Sequence, residues 1–214
     1  SDALQQIVQK ETYDLEEIKA ESDGVCLKYR GNFLKLIPEE NEMGQTLTAQ
    51  INKKEKQTAF WDGESQSFIF NDKSFGSLKF DTYREKGTQY LIIYDGDMTW
   101  NFYKEDGAAR YVFVNQYGKL DEIQNAAAVF KGHERSLSGR GYIWGRTIPL
   151  LKKFLLWGSG PDTFTVKFPQ TDYVMKVNTG LNMYQQLPTK AHSMYLQSAL
   201  QTGILSGICL LMFF

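Results

Sequence analysis

The sequence has few of the residues that build metal centres and disulfide frameworks. Its 214 residues include two cysteines, Cys26 and Cys209, and two histidines, His133 and His192. Two cysteines exclude a disulfide-dense secreted scaffold and the usual four-ligand zinc pattern. Cys209 lies in a long apolar run, so we do not expect it to pair with Cys26. Two histidines also exclude a multi-histidine metal site.

The chain also lacks an excess of charge of either sign. It has 24 Lys and Arg against 25 Asp and Glu, a formal net charge of −1. Binding along nucleic acid requires a clustered basic surface, so this balance predicts no nucleic-acid partner. Apolar residues at 42% and charged residues at 23% exclude a disordered chain. The length is sufficient for one or two domains with a hydrophobic core.

Charge is absent from the end of the chain. No Asp, Glu, Lys or Arg occurs between Ala191 and Phe214. As a helix this run would extend roughly 36 Å, enough to enter or cross a bilayer. Ala199, Gly203 and Gly207 are spaced four apart, a stripe of small residues that allows membrane helices to pack closely. We interpret the chain as a segment of a larger membrane protein; the alternative is a buried C-terminal helix of a soluble protein.

The first half of the chain has a β pattern. Runs of strand-forming residues recur at 25–29, 33–37, 46–51, 67–70, 78–83, 90–94, 99–103 and 110–114. Asp-Gly pairs separate several of them, at 23–24, 62–63, 95–96 and 106–107. Asp-Gly is favoured where both residues of a hairpin turn need positive φ, so these pairs indicate strand connections. About eight strands predict an antiparallel sandwich or barrel-like domain.

After Gly118 the sequence changes from a β pattern to a helical one. Helices are predicted over 120–130 and 145–157, and a last helix is predicted from Thr189. The fold class is therefore α+β. The predicted organisation is the end of a helix at 1–11, a β-rich insertion at 12–117, a helical and loop part at 118–188, and the start of a transmembrane helix at 189–214.

His192 is the first candidate for a catalytic residue. It shares the stripe of Ala199 and Gly203 and lies in the first turn of the predicted helix, where the helix dipole disfavours an imidazolium. A neutral histidine at a membrane boundary is suited to act as a general base. The alternative is a histidine that is only hydrogen-bonded at a helix start.

Two arginines and a glycine-rich turn form a second group of candidates. Arg140 and Arg146 present planar sets of donors that match diphosphate oxygens, although solvated or ion-paired arginines are the alternative. The turn Gly158-Ser-Gly160 offers backbone N–H groups to an anion, or it only ends a helix. Trp61 and Trp100 are candidates for a sugar-binding face, or they are simply good strand formers.

Four motifs in a fixed order resemble one family. Ser138-Gly-Arg-x-x-x-Trp144, Pro149-Leu-Leu, Gly158-Ser-Gly-Pro-Asp-Thr-Phe164 and His192-Ser-x9-Gly203 together resemble the O-antigen ligase and polymerase family of polytopic membrane proteins, over roughly residues 136–214. Arg146-x3-Leu150 is similar to a further element of that family. Ser193 departs from the family, in which Asn is commoner, and the β-rich insertion has no place in the family's motif pattern.

The resemblance implies a membrane glycosyltransferase of the C type, acting through its large extracytoplasmic loop. Such an enzyme moves a glycan from an undecaprenyl-diphosphate carrier to an acceptor hydroxyl of a glycan, lipid or cell wall, without a metal or cofactor. His192 would activate the acceptor, and Arg140 and Arg146 would neutralise the diphosphate. The implied substrate-binding residues are Gly158, Gly160, Ser193 and Tyr195. This segment by itself is expected to be inactive; the competing hypothesis is a non-catalytic carbohydrate-binding module.

Overall fold

The computed structural model describes residues 10–42, 44–54 and 56–213. The chain forms two compact units: Asp14–Ile123 is one, and the flanking segments Ser1–Tyr13 and Gln124–Phe214 form the other. The first unit is thus inserted in sequence between the two parts of the second. The helix end predicted for 1–11 lies almost wholly outside the described residues; Lys10 and Glu11, which are described, are not helical.

The inserted unit consists of two antiparallel sheets. The first sheet has the order β1-β2-β3-β4-β5, with strands Leu15–Ala20, Val25–Tyr29, Asn32–Asn41, Gly44–Ile51 and Lys56–Thr58. The second has the order β12-β11-β10-β9-β8-β7-β6, with strands Phe60–Asp62, Ser67–Ile69, Lys79–Glu85, Thr88–Asp95, Met98–Glu105, Val112–Val114 and Leu120–Asp121 for β6 to β12. A short 3-10 turn, Lys73–Phe75, precedes β8.

Alternation of buried side chains explains these strands. In β2, Val25, Leu27 and Tyr29 are buried while the residues between them are partly exposed. The same alternation buries Trp100 and Phe102 in β10. Successive strand residues point to opposite faces, so each strand gives one apolar face to a core. The prediction of an antiparallel β-rich domain is confirmed.

The Asp-Gly pairs link strands as predicted, but their backbone conformation differs from the predicted one, in which both residues have positive φ. Gly96 and Gly107 have positive φ, of 58° and 80°. Gly24 and Gly63 do not have positive φ, and neither does the aspartate of any pair. A Cβ on Gly24 would lie 1.9 Å from the carbonyl oxygen of Leu36, so this glycine is required by close approach rather than by turn conformation.

The second unit is helical. Its helices are α1 (Arg140–Leu151), α2 (Phe164–Lys167), α3 (Tyr173–Asn178), α4 (Met194–Thr202) and α5 (Ile204–Phe213). A small core is made of Tyr142, Phe164, Phe168, Ala191 and Leu200, which come from α1, α2, α4 and the segments between them. The short helices α2 and α3 lie within the segment 118–188, which was predicted to contain helices and loops. The α+β fold class is confirmed by the two units together.

The helix predicted over 120–130 is wrong. Residues 120–121 form β12, and the remainder has no regular structure. The backbone N–H of Gln124 donates to Thr171 (2.9 Å), and the N–H of Val129 donates to Gly145 (2.9 Å). Carbonyl groups distant in sequence therefore satisfy donors that a helix would have used, and this overrides the good helix propensity of the segment.

The helix predicted over 145–157 is displaced toward the N-terminus. It begins at Arg140, after Gly139 in the left-handed conformation, and ends at Leu151. Pro149 lies near its end rather than in its first turn. Proline cannot donate to the carbonyl of Gly145 four residues earlier, and that carbonyl accepts the N–H of Val129 instead.

The prediction of one long helix from Thr189 is also wrong. The helix begins at Met194 and is interrupted at Gly203, so that α4 and α5 are two short helices. Gly203 has a φ of 93°, which a continuous helix does not allow. Within 10–42, 44–54 and 56–213 no helix combines the length and the apolar character needed to cross a membrane.

Candidate functional site

His192 lies immediately before the N-terminus of α4. Ser193 is the N-cap, and its hydroxyl accepts the N–H of Leu196 at 3.4 Å. His192 is exposed and has a φ of 52°, in the left-handed region. Left-handed backbone in a non-glycine residue costs about 1–2 kcal/mol and persists only where neighbouring contacts impose it. His192 is therefore outside the first turn of the helix, contrary to the sequence prediction.

Two side chains hold the residue that precedes His192. The indole Nε1–H of Trp144 donates to the carbonyl of Ala191 at 2.8 Å. The N–H of Ala191 donates to the side-chain oxygen of Gln197, also at 2.8 Å. Ala191 is completely buried. Because both polar groups of Ala191 are fixed by side chains of α1 and α4, the backbone entering His192 has little freedom.

His192 and Ser193 line a cavity of about 560 Å³. This volume lies in the range of about 300–1,000 Å³ that is typical of small-molecule sites. Asp162, Thr165, Lys190 and Gln201 also line it. The cavity thus combines an imidazole, a carboxylate, an ammonium group and neutral hydrogen-bonding groups.

These groups are suited to proton transfer and anion binding. An exposed imidazole can accept a proton from a hydroxyl group, and a carboxylate in the same cavity can stabilise the resulting imidazolium. Lys190 adds a mobile positive charge. Across the described parts of the chain, no three His, Cys, Asp or Glu side chains come together as metal ligands.

Gly158 and Gly160 do not offer free N–H groups to an anion. The N–H of Gly158 donates to Phe154 (3.0 Å) and that of Gly160 donates to Gln201 (2.9 Å). Ser159 between them donates to Leu200 at 2.7 Å. The turn therefore joins the C-terminal end of α4, and its hydrogen bonds belong to the fold.

Gly203, at the end of α4, lies in the same contact between residues 155–160 and residues 200–204. Ile204 donates its N–H to Leu155 at 2.9 Å. A Cβ at Gly203 would lie 2.3 Å from the carbonyl oxygen of Leu156, and one at Gly158 would lie 2.2 Å from that of Gln201. Real Cβ atoms do not approach backbone oxygens this closely, so both glycines are required by the contact of two backbones. Gly203 therefore ends α4 rather than continuing a stripe for membrane-helix packing.

Gly203→Ala should destabilise the helical unit far more than Gly180→Ala. Both glycines have positive φ, 93° and 77°, but a Cβ at Gly180 would meet no heavy atom within 4 Å. Gly180→Ala should cost only the conformational strain, about 1–2 kcal/mol, whereas Gly203→Ala adds a clash with backbone. Thermal unfolding of the two variants gives the comparison. Equal losses of stability would contradict the steric account.

Arg140 is exposed and is the first residue of α1. Residues four apart on a helix share a face, so Arg140 lies one turn before Trp144 on the side that contacts Ala191. The first turn of α1 contains no acidic residue. Within the part of the chain that the structure describes, Arg140 forms no ion pair; it lies on the helix face that leads to His192 but does not line the cavity.

Arg146 has a different environment. It is 3% exposed, its Nε–H donates to the carboxylate of Asp172, and its Nη1 lies 3.8 Å from Glu134. Its guanidinium stacks over the Tyr142 ring at 4.4 Å. Burial raises the pKa of Asp172, and the neighbouring guanidinium of Arg146 opposes that rise. The structure thus places Arg146 in a buried ion pair and does not bring it together with Arg140 at a surface.

The remaining candidates differ in exposure. Tyr195 is 40% exposed in the first turn of α4 but does not line the described cavity. Trp100 is 1% exposed, so it belongs to the core of the β unit rather than to a sugar-binding face. Trp61 is 53% exposed and packs edge-on against Phe68 at 5.2 Å.

Sequence reasoning missed Asp162, Lys190 and Gln197 as neighbours of His192. Asp162 lies inside the Gly158–Phe164 motif, so the motif itself indicates this residue as a candidate. Lys190 is the last charged residue of the chain, two positions before His192. Gln197 acts through the backbone of Ala191, and no sequence pattern signals such a contact.

Comparison with known families supports the resemblance. Residues 107–211 match the sequence model of the family described as O-antigen ligase. The comparisons with curated proteins and with solved structures give no match. The matched segment contains His192, its cavity, both arginines and the Gly158–Gly203 junction. Residues 107–211, just under half of the chain, are therefore similar to the O-antigen ligase family.

Proposed function

We propose that this chain is the catalytic loop region of a membrane O-antigen ligase or polymerase. The enzyme transfers a glycan from an undecaprenyl-diphosphate carrier to a hydroxyl of a cell-surface glycan, lipid or cell-wall acceptor. The observation that carries the proposal is the cavity at the N-terminus of α4, where exposed His192 is held by the buried peptide of Ala191 inside the family segment.

In the proposed reaction the acceptor oxygen attacks the anomeric carbon of the donor sugar. A new C–O bond forms, and the bond between that carbon and the diphosphate oxygen breaks. His192 takes the hydroxyl proton as a general base, a contribution of typically 10²–10⁴-fold. The electron pair of the broken bond remains on the undecaprenyl diphosphate, which leaves with additional negative charge.

Arg140 is the proposed partner of the leaving diphosphate. A fixed cation stabilises charge that develops as the bond breaks, and Arg140 is exposed on the α1 face that holds Ala191. Lys190 lines the same cavity as His192 and is a second cation for this purpose. The family resemblance gives Arg146 the same role as Arg140, but we propose that Arg146 positions α1 through its ion pair with Asp172.

The other family positions have supporting roles in this proposal. Asp162 stabilises the imidazolium of His192 after proton transfer. Ser193 binds the acceptor at the cavity wall besides capping α4, and Tyr195 contacts substrate from the exposed first turn. Gly158 and Gly160 shape the substrate site by holding the end of α4.

The family is membrane-associated, and we place this segment on the extracytoplasmic side of the membrane. Large apolar side chains are exposed in two places: Leu156 and Trp157 at 65% and 90%, and Met212 and Phe213 at 83% and 89%. Lys152 and Lys153, just before the first of these, are also exposed. Exposed tryptophan beside lysine is typical of side chains at a membrane interface.

The direct test uses the protein in its native membrane with a labelled undecaprenyl-diphosphate-linked glycan. Label should move to a hydroxyl-bearing acceptor as undecaprenyl diphosphate is released. Chain growth on the glycan itself would identify a polymerase, and transfer to a different acceptor would identify a ligase. Label that stays on the carrier would contradict both.

Arg140→Ala should lower the rate of transfer by about 10²–10³-fold, the effect typical of losing one fixed donor to a developing oxyanion. Arg140→Lys should recover part of this rate because it keeps the charge and loses the planar pair of donors. The control is Arg110→Ala, which removes an exposed arginine paired with Glu122 in the β unit. The initial rate of carrier release measures all three. Wild-type rates for Arg140→Ala would contradict the assignment.

A further inference from the structure

One face of α4 lines the cavity of His192. Ser193, Gln197 and Gln201 are spaced four apart, so they lie on the same side of the helix, and all three line the cavity. Ser193 is the N-cap of α4. The other two residues are carboxamides, each with one acceptor oxygen and two N–H donors. We call this row the α4 wall.

The contacts of Gln197 determine which way its amide faces. Its side-chain oxygen accepts the N–H of Ala191 at 2.8 Å, and Ala191 is completely buried. A backbone N–H can donate only to the oxygen of a carboxamide. The reverse orientation would set two donors against each other and leave a buried N–H without a partner, which is costly. The NH2 group of Gln197 therefore lies at the end of the amide that does not contact Ala191.

This NH2 group is available to a ligand. Within residues 10–42, 44–54 and 56–213 it has no hydrogen-bond partner. Gln197 is only partly buried and lines the cavity, so an oxygen atom of a molecule in the cavity can accept from it. The side chain of Gln201, one turn later, likewise has no hydrogen-bond partner in these segments. The α4 wall thus presents two carboxamides to the same space.

The composition of the cavity favours a neutral ligand that is rich in hydroxyl groups. Its formally charged side chains are one carboxylate, Asp162, and one ammonium group, Lys190, whose charges cancel. Besides the imidazole and the two carboxamides, the other polar side chains are the hydroxyls of Thr165, Thr189 and Ser193. Carboxamides and hydroxyls both donate and accept hydrogen bonds, as the hydroxyl groups of a sugar do. A sugar therefore matches these walls better than an anion does.

We propose that Gln197 donates its NH2 group to a hydroxyl oxygen of the acceptor sugar while its own oxygen fixes the peptide that precedes His192. One side chain thereby sets the positions of both the acceptor and the proposed base. A base must lie within hydrogen-bond reach of the proton that it takes, and a displacement of about 1 Å can cost about 10²-fold in rate. The choice of a sugar rests on the proposed function, whereas the orientation of the amide follows from Ala191 alone.

Side-chain NMR of the full 214-residue chain in detergent micelles tests the binding role without a transfer assay. The measured signals are the NH2 resonances of Gln197, assigned by their absence in Gln197→Leu. The probes are methyl β-glucoside, methyl β-galactoside and inorganic pyrophosphate. We expect at least one glycoside to shift these resonances saturably and pyrophosphate to have little effect. No shift with either glycoside, or a larger shift with pyrophosphate, would overturn the binding role.

Hydrogen exchange of the Ala191 amide tests the positioning role. Gln197→Leu should accelerate this exchange about tenfold or more, because the N–H loses its acceptor. Gln197→Glu should keep the wild-type rate, since a carboxylate oxygen can accept the same bond. Gln201→Leu is the matched control, because it removes a carboxamide of the same wall that does not contact Ala191. Unchanged exchange in Gln197→Leu, or equal acceleration in Gln201→Leu, would overturn the positioning role.

Transfer kinetics in the native membrane separate this inference from the proposed function. Gln197→Leu should raise the KM for the acceptor and lower kcat, each about tenfold, because it removes the bond to the sugar and the bond to Ala191. Gln201→Leu should raise KM without lowering kcat. A wild-type kcat in Gln197→Leu would overturn the positioning role. A wild-type chain that binds the glycosides but transfers no glycan would support the binding role and contradict the proposed function alone.

Discussion

Replacement of His192 by alanine should reduce glycan transfer by about 10²–10⁴-fold, the range typical of a lost general base. The reason is that the acceptor hydroxyl would lose the group that takes its proton as the new bond forms. The backbone should be unaffected, because Ala191 is held by Trp144 and Gln197 rather than by the imidazole. The measurement is the single-turnover rate of transfer from a labelled lipid-linked glycan in the native membrane.

The control for this prediction is the other histidine of the chain. His133 lies before α1 and does not line the cavity of His192, so His133→Asn should keep most of the transfer rate at equal protein level. A rate for His192→Ala within a few-fold of the wild type would contradict a role as base. Equal losses in the two variants would indicate a structural rather than a catalytic effect.

Replacement of Asp172 by alanine should strongly destabilise the helical unit. Asp172 and Arg146 are 2% and 3% exposed, and the guanidinium donates to the carboxylate. Removal of Asp172 takes away the hydrogen-bonded partner of a buried guanidinium and leaves only the carboxylate of Glu134, 3.8 Å away, a loss that costs about 3–5 kcal/mol. The measurement is the free energy of unfolding of this unit, from hydrogen exchange of the α1 amides, which separates it from the β unit.

An exposed ion pair of the β unit is the control for the effect of removing the buried pair. Arg30 and Asp14 lie 2.7 Å apart but are 45% and 58% exposed, so Asp14→Ala should change stability very little. Asp172→Asn, which keeps the shape of the side chain and removes its charge, should fall between the two. A loss for Asp172→Ala no larger than that for Asp14→Ala would show that the buried pair does not stabilise the unit.

Strands with an alternating apolar face were predictable from sequence, whereas strands without one were not. The eight predicted runs all contain observed strand residues, because their alternation and the Asp-Gly pairs are local signals. β1, Leu15–Ala20, was missed since its sequence is rich in charged residues. It is a strand because its residues pair with β2. The three-residue strands β5 and β6 are likewise set by their partners.

The helical unit was less predictable because its backbone bonds join distant segments. Val129 and Gly145 are 16 positions apart, and the N–H of Val129 donates to the carbonyl of Gly145. This hydrogen bond uses a donor that the helix predicted over 120–130 would have needed. It also satisfies the carbonyl in α1 to which Pro149 cannot donate. For the site, motif order indicated His192 and Ser193, which line one cavity. The burial of Arg146 depends on Asp172, 26 residues later, and a local reading of Arg146 could not anticipate it.

The junction between residues 155–160 and 200–204 has a consequence for how the sequence can vary. Its contacts run from backbone to backbone, through Ser159, Gly160 and Ile204. Side-chain identity at Ser159, Gln201 and Ile204 therefore contributes little to joining the two segments, while the glycines at 158 and 203 leave no space for a Cβ. Gly158 and Gly203 should therefore tolerate substitution far less than the neighbouring positions, whose contacts across this junction are made by the backbone.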